Sequence, residues 1–286
     1  MRGPSASLPR GRRGWAGPSL LIGATLAALV VALALVSFVW TPYEPTQMAI
    51  LKRLRPPSAE HWFGTDQFGR DVFSMIMVGA RNSLAVGLGA VGIALLVGTA
   101  LGLAASRRRD GLLDHLVMRA ADFSLAFPAV LSAIMIGAVW GPGMHNAVIA
   151  IGLYSLPYFA RLARGAALQC RQLDYVQAAR AAGLSEATIT RVHILPNIAG
   201  VLVVQATIQF ALAILAEAGL SYLGLGTQPP APSWGRMLNE AQTFMADQPW
   251  LAIFPGAAIA LSVLAFNLLG DGLRDAVDPR TRRSRA

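Results

Sequence analysis

Two carboxylates, Asp122 and Glu217, fall inside stretches that are otherwise apolar. An ionisable group at mid-bilayer costs ~3 kcal/mol or more, so such residues are the first candidates for chemistry. Asp122 follows Arg119 at an i, i+3 spacing suited to an ion pair on one helix face. Glu217 has two readings: a hydrogen bond in helix packing or at a gate, or a contact for a substrate amine. The two carboxylates belong to different apolar stretches and to different depths, which argues against a membrane-embedded enzyme that would use both.

Other chemistry is poorly provided for. His61, His115 and His145 are isolated from one another, whereas a metal site needs grouped histidines or carboxylates. His145 reads as a solvated loop residue. Cys170 is the one cysteine, so neither an intrachain disulfide framework nor a zinc ribbon is available. Lys52 is the one lysine, in Leu51-Lys-Arg-Leu54, with no glycine loop around it. The phosphate-binding pattern Gly-x-x-x-x-Gly-Lys-Ser/Thr is therefore missing, and the chain cannot hydrolyse ATP by that route. His-Glu-x-x-His and Gly-x-Ser-x-Gly are missing too.

The stretch Asp174–Asn197 has a different character. It reads as two short helices with a sharp break. Asp174 is suited to cap the first, and Gln177 three residues on completes a capping-box-like pair. Ala178, Ala179, Ala181 and Ala182 give high helix propensity and a low-profile surface. Gly183 fits the left-handed position that ends a helix. Ser185 can cap a second helix with Glu186 in its first turn. Pro196 is expected to break the run. On physical grounds alone, such a helix suits either a groove on a partner protein or the lipid headgroup layer.

The elements that must position these residues follow from composition. The 286 residues are 55% hydrophobic and 14% charged, with a mean hydropathy of +0.51. Soluble domains carry about 25% charge. The apolar residues are also blocked, so the bilayer is the expected solvent. The net charge of +9 sits between apolar blocks with few aromatics, which disfavours nucleic acid as a partner. Six apolar blocks are long enough to cross a membrane, which takes about 20 helical residues each: 19–40, 83–105, 117–139, 146–164, 198–222 and 250–270. Asp122 and Pro128 interrupt the third, and Pro157 the fourth. The first block is too long for a signal-peptide core and lacks a small-x-small cleavage site, so it reads as a retained anchor.

Of the 24 Lys and Arg residues, 18 fall in 1–18, 106–119, 161–197 and the C-terminal tail. By the positive-inside rule both termini and the 161–197 segment are cytoplasmic. The expected organisation is a disordered tail at 1–18, an anchor helix at 19–40 and a periplasmic segment at 41–82. A core follows at 83–275, with a cytoplasmic loop at 165–197, and then a basic tail at 276–286. Gly98 and Gly102 form a small-xxx-small pair suited to close helix packing. Tyr222, Trp234 and Trp250 fit an outer interfacial aromatic belt, and Arg236–Met245 reads as a further helix. No internal repeat of the kind found in secondary transporters is visible.

The segment Gln177-Ala178-Ala179, Gly183, His193, Leu195-Pro196 resembles the Glu-Ala-Ala motif of importer permeases of the ATP-binding-cassette superfamily, with its spacings kept. Gln stands for the usual Glu, and His193 for the usual Ile. His61–Phe73, Gly79–Leu84, Glu217–Leu238, Asn267–Asp275 and Asp278–Arg280 are similar, in the same order, to the C-type subunit of dipeptide permeases in the dipeptide/oligopeptide/nickel group. The resemblance covers roughly residues 19–280 of this chain. It implies an all-α, six-helix type I importer permease, half of a heterodimeric pore in a bacterial inner membrane. It further implies that Asp174, Tyr175 and the motif residues dock on ATPase subunits. Those partners would bind ATP and Mg, with no cofactor in this chain. The other implied partners are a second permease, a periplasmic or lipid-anchored binding protein, and membrane lipid. Glu217 would lie beside the conduit, and 223–249 would contact the binding protein.

Overall fold

The computed structural model describes residues 18–277. The proposed tails at 1–18 and 276–286 lie almost wholly outside the described residues. The chain is helical: among the described residues the extended pairing is one isolated bridge, Thr65 with Asp71. Within the described residues ten α-helices succeed one another: α1 (Pro18–Val36), α2 (Val72–Ala105), α3 (Leu112–Ala126), α4 (Ala129–Trp140), α5 (Met144–Cys170), α6 (Asp174–Ala181), α7 (Glu186–Thr188), α8 (Leu195–Tyr222), α9 (Trp234–Ala241) and α10 (Trp250–Val277).

Among the described residues, four helical runs are long and apolar enough to cross a membrane: Pro18–Val36, Val72–Ala105, Glu186–Tyr222 and Trp250–Ala276. A fifth results if α3 and α4 count as one span bent by 91°. The expected count of six is thus not matched. The shortfall is α5, long enough at 27 residues but carrying His145, Asn146, two tyrosines and Arg161 among its apolar residues. Packed along α2, it has less lipid-facing surface to keep apolar. Proline decides both local outcomes. Phe127 before Pro128 is extended (φ −89°, ψ 134°), as the proline ring demands of its predecessor, and the chain turns there. Pro157, by contrast, is absorbed inside α5 without ending it.

Close approach of backbones holds the bundle together. A Cβ on Gly98 would stand 2.7 Å from the Leu156 carbonyl oxygen of α5, and one on Gly102 would overlap the Ala160 carbonyl. The small-xxx-small pair is therefore the α2–α5 contact. The same device joins α1 to α10, where Gly272 lies against Leu20.

α2 starts at Val72, within the stretch expected to be a periplasmic segment. Its cap is Asp71, whose carboxylate accepts from the Ser74 amide at 2.8 Å and from the Ser74 hydroxyl at 2.7 Å. Trp234 is no interfacial residue. It is 1% exposed, its indole N–H donates to the Ile76 carbonyl at 3.0 Å, and its ring occupies the space left by Gly79.

Candidate functional site

The 174–197 segment folds mostly as its local signals demand. α6 ends in a left-handed Gly183 (φ +81°). The Gly183 amide donates to Arg180 O at 3.0 Å and the Leu184 amide to Ala179 O at 3.2 Å. These are the two hydrogen bonds of a Schellman stop. Ser185 caps the next turn, accepting from the Thr188 amide at 3.2 Å.

Three local expectations are corrected. The N-cap of α6 is Leu173, with Asp174 in the first turn, so the capping box does not form. Gln177 instead donates to the Arg171 carbonyl at 2.9 Å and accepts from Arg180 at 3.2 Å. Pro196 does not break the helix. A π-helical turn, Ile189–Ile194, carries α7 into α8, and Pro196 falls in the first turn of α8, where a proline is tolerated.

The segment divides into a buried side and an offered side. Val176, Ile189 and Ile194 are fully buried in one cluster with Phe159 and Ala163 of α5. Asp174, Tyr175, Gln177, Ala178, Ala181, Ala182 and Gly183 are exposed, and Ala179 is half-buried. Tyr175 meets Cys170, Oη to Sγ, at 3.1 Å, and its ring faces that of His193 with centroids 6.1 Å apart. That hydrogen bond to Cys170, with partial desolvation, raises the Tyr175 phenol above its ordinary value. The His193 carbonyl accepts from Asn197 at 2.6 Å. Leu195 and Pro196 are exposed at the entry to α8.

Beneath this surface lies an ion cluster that local sequence signals did not reveal. Arg171, 7% exposed, pairs with Glu186, donates to Thr190 Oγ1 at 3.1 Å and reaches Ser106 Oγ at 3.3 Å. Arg180 also pairs with Glu186, at 2.7 Å. Arg171 entered the sequence reading only as a positive charge.

The intramembrane carboxylates separate in role. Glu217 is fully buried, accepting from Ser83 Oγ of α2 at 2.7 Å and from Ser221 Oγ at 2.7 Å. Asp122 pairs with Arg161 of α5 and not with Arg119. Asp114, early in α3, is clasped by two of the guanidinium nitrogens of Arg164 of α5, Nε and Nη2, the latter at 2.6 Å. This pair also went unforeseen. His61 is buried, its Nδ1 2.9 Å from Asp71. His145 is exposed, as expected, but lies in the first turn of α5. Among the described residues no three His, Cys, Asp or Glu side chains form a metal-binding group.

Residues 94–283 match the family described as binding-protein-dependent transport system inner membrane component. The chain is 46% identical over 255 residues to the glutathione transport system permease protein GsiD of Pectobacterium atrosepticum, covering 89% of this chain and 84% of the relative. It is 49% identical over 230 residues to the dipeptide transport system permease protein DppC of Alkalihalophilus pseudofirmus, covering 80% and 75%. A solved structure, the inward-facing MetNI methionine ABC transporter, shares the fold. Its TM-score is 0.61 at 19% identity, over 71% of this chain and 96% of that one. With its apolar helices and an exposed small-faced segment beside α8, the chain belongs to the binding-protein-dependent permeases, as a transport subunit of a multi-pass membrane family and not an enzyme.

Proposed function

We propose that this chain forms half of the translocation pore of an ATP-driven importer and couples to ATPase subunits through residues 174–197. The observation that carries this reading is the exposed alanine face of α6, terminated by Gly183 and fastened from behind by Val176 and the Arg171–Glu186–Arg180 cluster. A helix so presented, small on its outer side and rigid on its inner side, suits a groove of a partner protein better than a lipid surface. Within α6 its exposed apolar surface is made of alanines and Tyr175, without the large aliphatic side chains that an interfacial helix sinks into lipid. ATP and Mg are bound in the partner ATPases. Hydrolysis there shifts the population between outward- and inward-open states.

The bias of Lys and Arg supports a cytoplasmic side for α6, α7 and both termini. A second permease completes the pore. A periplasmic or lipid-anchored binding protein delivers the cargo to the opposite end, around 223–249. The names of the relatives, for glutathione and for dipeptides, support a peptide-class substrate. Glu217, with both oxygens taken by hydroxyls, acts as an interhelical brace and not as a contact for a peptide amine.

The test is co-purification of the tagged chain in detergent. Recovery of a second permease and ATPase subunits is expected. Gly183→Pro, impossible at φ +81°, and Ala179→Asp are each expected to abolish ATPase recovery while membrane insertion stays intact. Normal ATPase recovery with both variants would remove the coupling assignment.

A further inference from the structure

Resting on the coupling role just proposed, we infer that Arg171 is the positioning residue that transmits displacement of α6 and α7 to the membrane helices, and that it does so without itself holding the ATPases. Its place in the fold is unusual. It is the C-cap of α5, so its backbone belongs to a membrane helix. Its carbonyl accepts from Gln177 of α6. Its three guanidinium nitrogens go to three different residues: Nε to Ser106, the C-cap of α2; Nη1 to Glu186 of α7; Nη2 to Thr190 of the π-helical turn that leads into α8. One residue therefore contacts α2, α5, α6, α7 and the root of α8.

Chemistry favours arginine for this work. Its planar fork holds several acceptors in fixed relative directions, so acceptors on different elements cannot shift independently. A lysine at this place would satisfy one or two of them on a flexible stem. Burial adds stiffness, because a desolvated guanidinium that loses an acceptor is left uncompensated. Glu186 is held from its other side by Arg180, which stands on α6. A push on α6 thus reaches Arg171 by two routes, through the Gln177 amide and through the Arg180–Glu186 pair. Arg171 itself is buried, beneath the exposed alanine face and not part of it.

The test uses the whole complex of both permeases and the ATPases, reconstituted in lipid. Hydrogen exchange is measured without nucleotide and with Mg-ATP plus vanadate. In the wild type, nucleotide is expected to alter exchange both in α6–α7 and at the C-terminal end of α2. In Arg171→Gln, the ATPases stay bound and the response of α6–α7 persists, while the response at the end of α2 falls by about tenfold. Thr190→Val, which removes one acceptor and keeps the shape, is expected to give a smaller loss of the same kind. An undiminished response at α2 in both variants would overturn the inference. So would loss of ATPase binding in Arg171→Gln, since Arg171 would then be scaffolding for the docking surface. Failure of the underlying coupling role is separately visible, as a wild-type complex that contains no ATPase.

Discussion

The Ser83 hydroxyl of α2 donates to the Glu217 carboxylate of α8 across 2.7 Å, with the carboxylate fully buried. Ser221 holds the other oxygen and also accepts the Thr227 amide at 3.1 Å, which ties the end of α8 to the segment that follows. Ser83→Ala is expected to cost about 1 kcal/mol, the scale of hydrogen bonds between membrane helices, read as a lower midpoint of thermal unfolding in detergent. Glu217→Gln keeps the shape and one acceptor, while its amide NH2 can donate to the other serine oxygen, so uptake is expected to stay near the wild-type rate. A normally stable Glu217→Gln protein that no longer transports would return Glu217 to the substrate path.

The residues that sequence located well are those whose signals are local. Gly183 and Ser185 act within a few residues of themselves, and both stand where their backbone chemistry put them. Arg171 could not be found this way, because its acceptors lie 15, 19 and 65 residues away. Asp122 illustrates the same limit. Its neighbour Arg119 satisfied the helical spacing, yet Arg161 on a packed helix provided the better partner. Trp234 fits an interfacial belt by its residue type and its place beside Tyr222 and Trp250 in the expected outer segment. A deep place became available only because Gly79, far off in sequence, leaves room for an indole. The apolar block 146–164 does fold as a helix, but α5 carries polar residues that keep it below the apolar content of the other spans, which a helix shielded by its neighbour tolerates better than a lipid-facing one.

The α2–α5 contact yields a controlled comparison. A Cβ at Gly98 would meet Leu156 O at 2.7 Å and Phe159 Cβ at 2.8 Å, whereas one at Gly92 would meet nothing within 4 Å. Gly98→Ala is expected to destabilise the chain by about 2 kcal/mol through overpacking. Gly92→Ala, on the same helix, is expected to be neutral or slightly stabilising for the isolated chain, since alanine is the better helix former. Equal unfolding midpoints for the two variants would mean that α2 and α5 do not approach as described.

Alkaline titration tests the contact between Tyr175 and Cys170. The phenol is held above its ordinary value of 10.0, chiefly by the hydrogen bond with Cys170. A raised value on folding means that the neutral phenol is the favoured form. Its contribution is complete below the ordinary value and is lost as pH rises through the higher folded one. Ultraviolet difference titration of the wild type against Tyr175→Phe isolates this ionisation. It is expected above about pH 10, and Cys170→Ala should bring it down. An unshifted titration in Cys170→Ala would show that the sulfur is not the cause.

At the far end of the bundle from α6, Arg70 and Glu240 join the segment before α2 to α9, Nη2 to Oε2 at 2.6 Å. Arg70 also pairs with Asp66 at 2.6 Å, and Glu240 is shared with Arg236 at 2.8 Å and Gln67 at 3.2 Å. The members are not equivalent. The Arg70 side chain is 8% exposed and that of Arg236 is 25% exposed. Removing a partner from a buried charge costs far more than trimming one at a wetter edge. Glu240→Ala is therefore expected to cost about 3 kcal/mol, and Arg236→Ala about 1 kcal/mol or less. Glu240→Gln should fall between them, because it keeps an acceptor for Arg70 while losing the charge. Limited proteolysis of the 41–71 segment gives the local readout: cleavage should accelerate in that same order. If Arg236→Ala loosened the segment as much as Glu240→Ala, the joint would rest on the rim pair, and the buried Arg70 contact would be incidental to it.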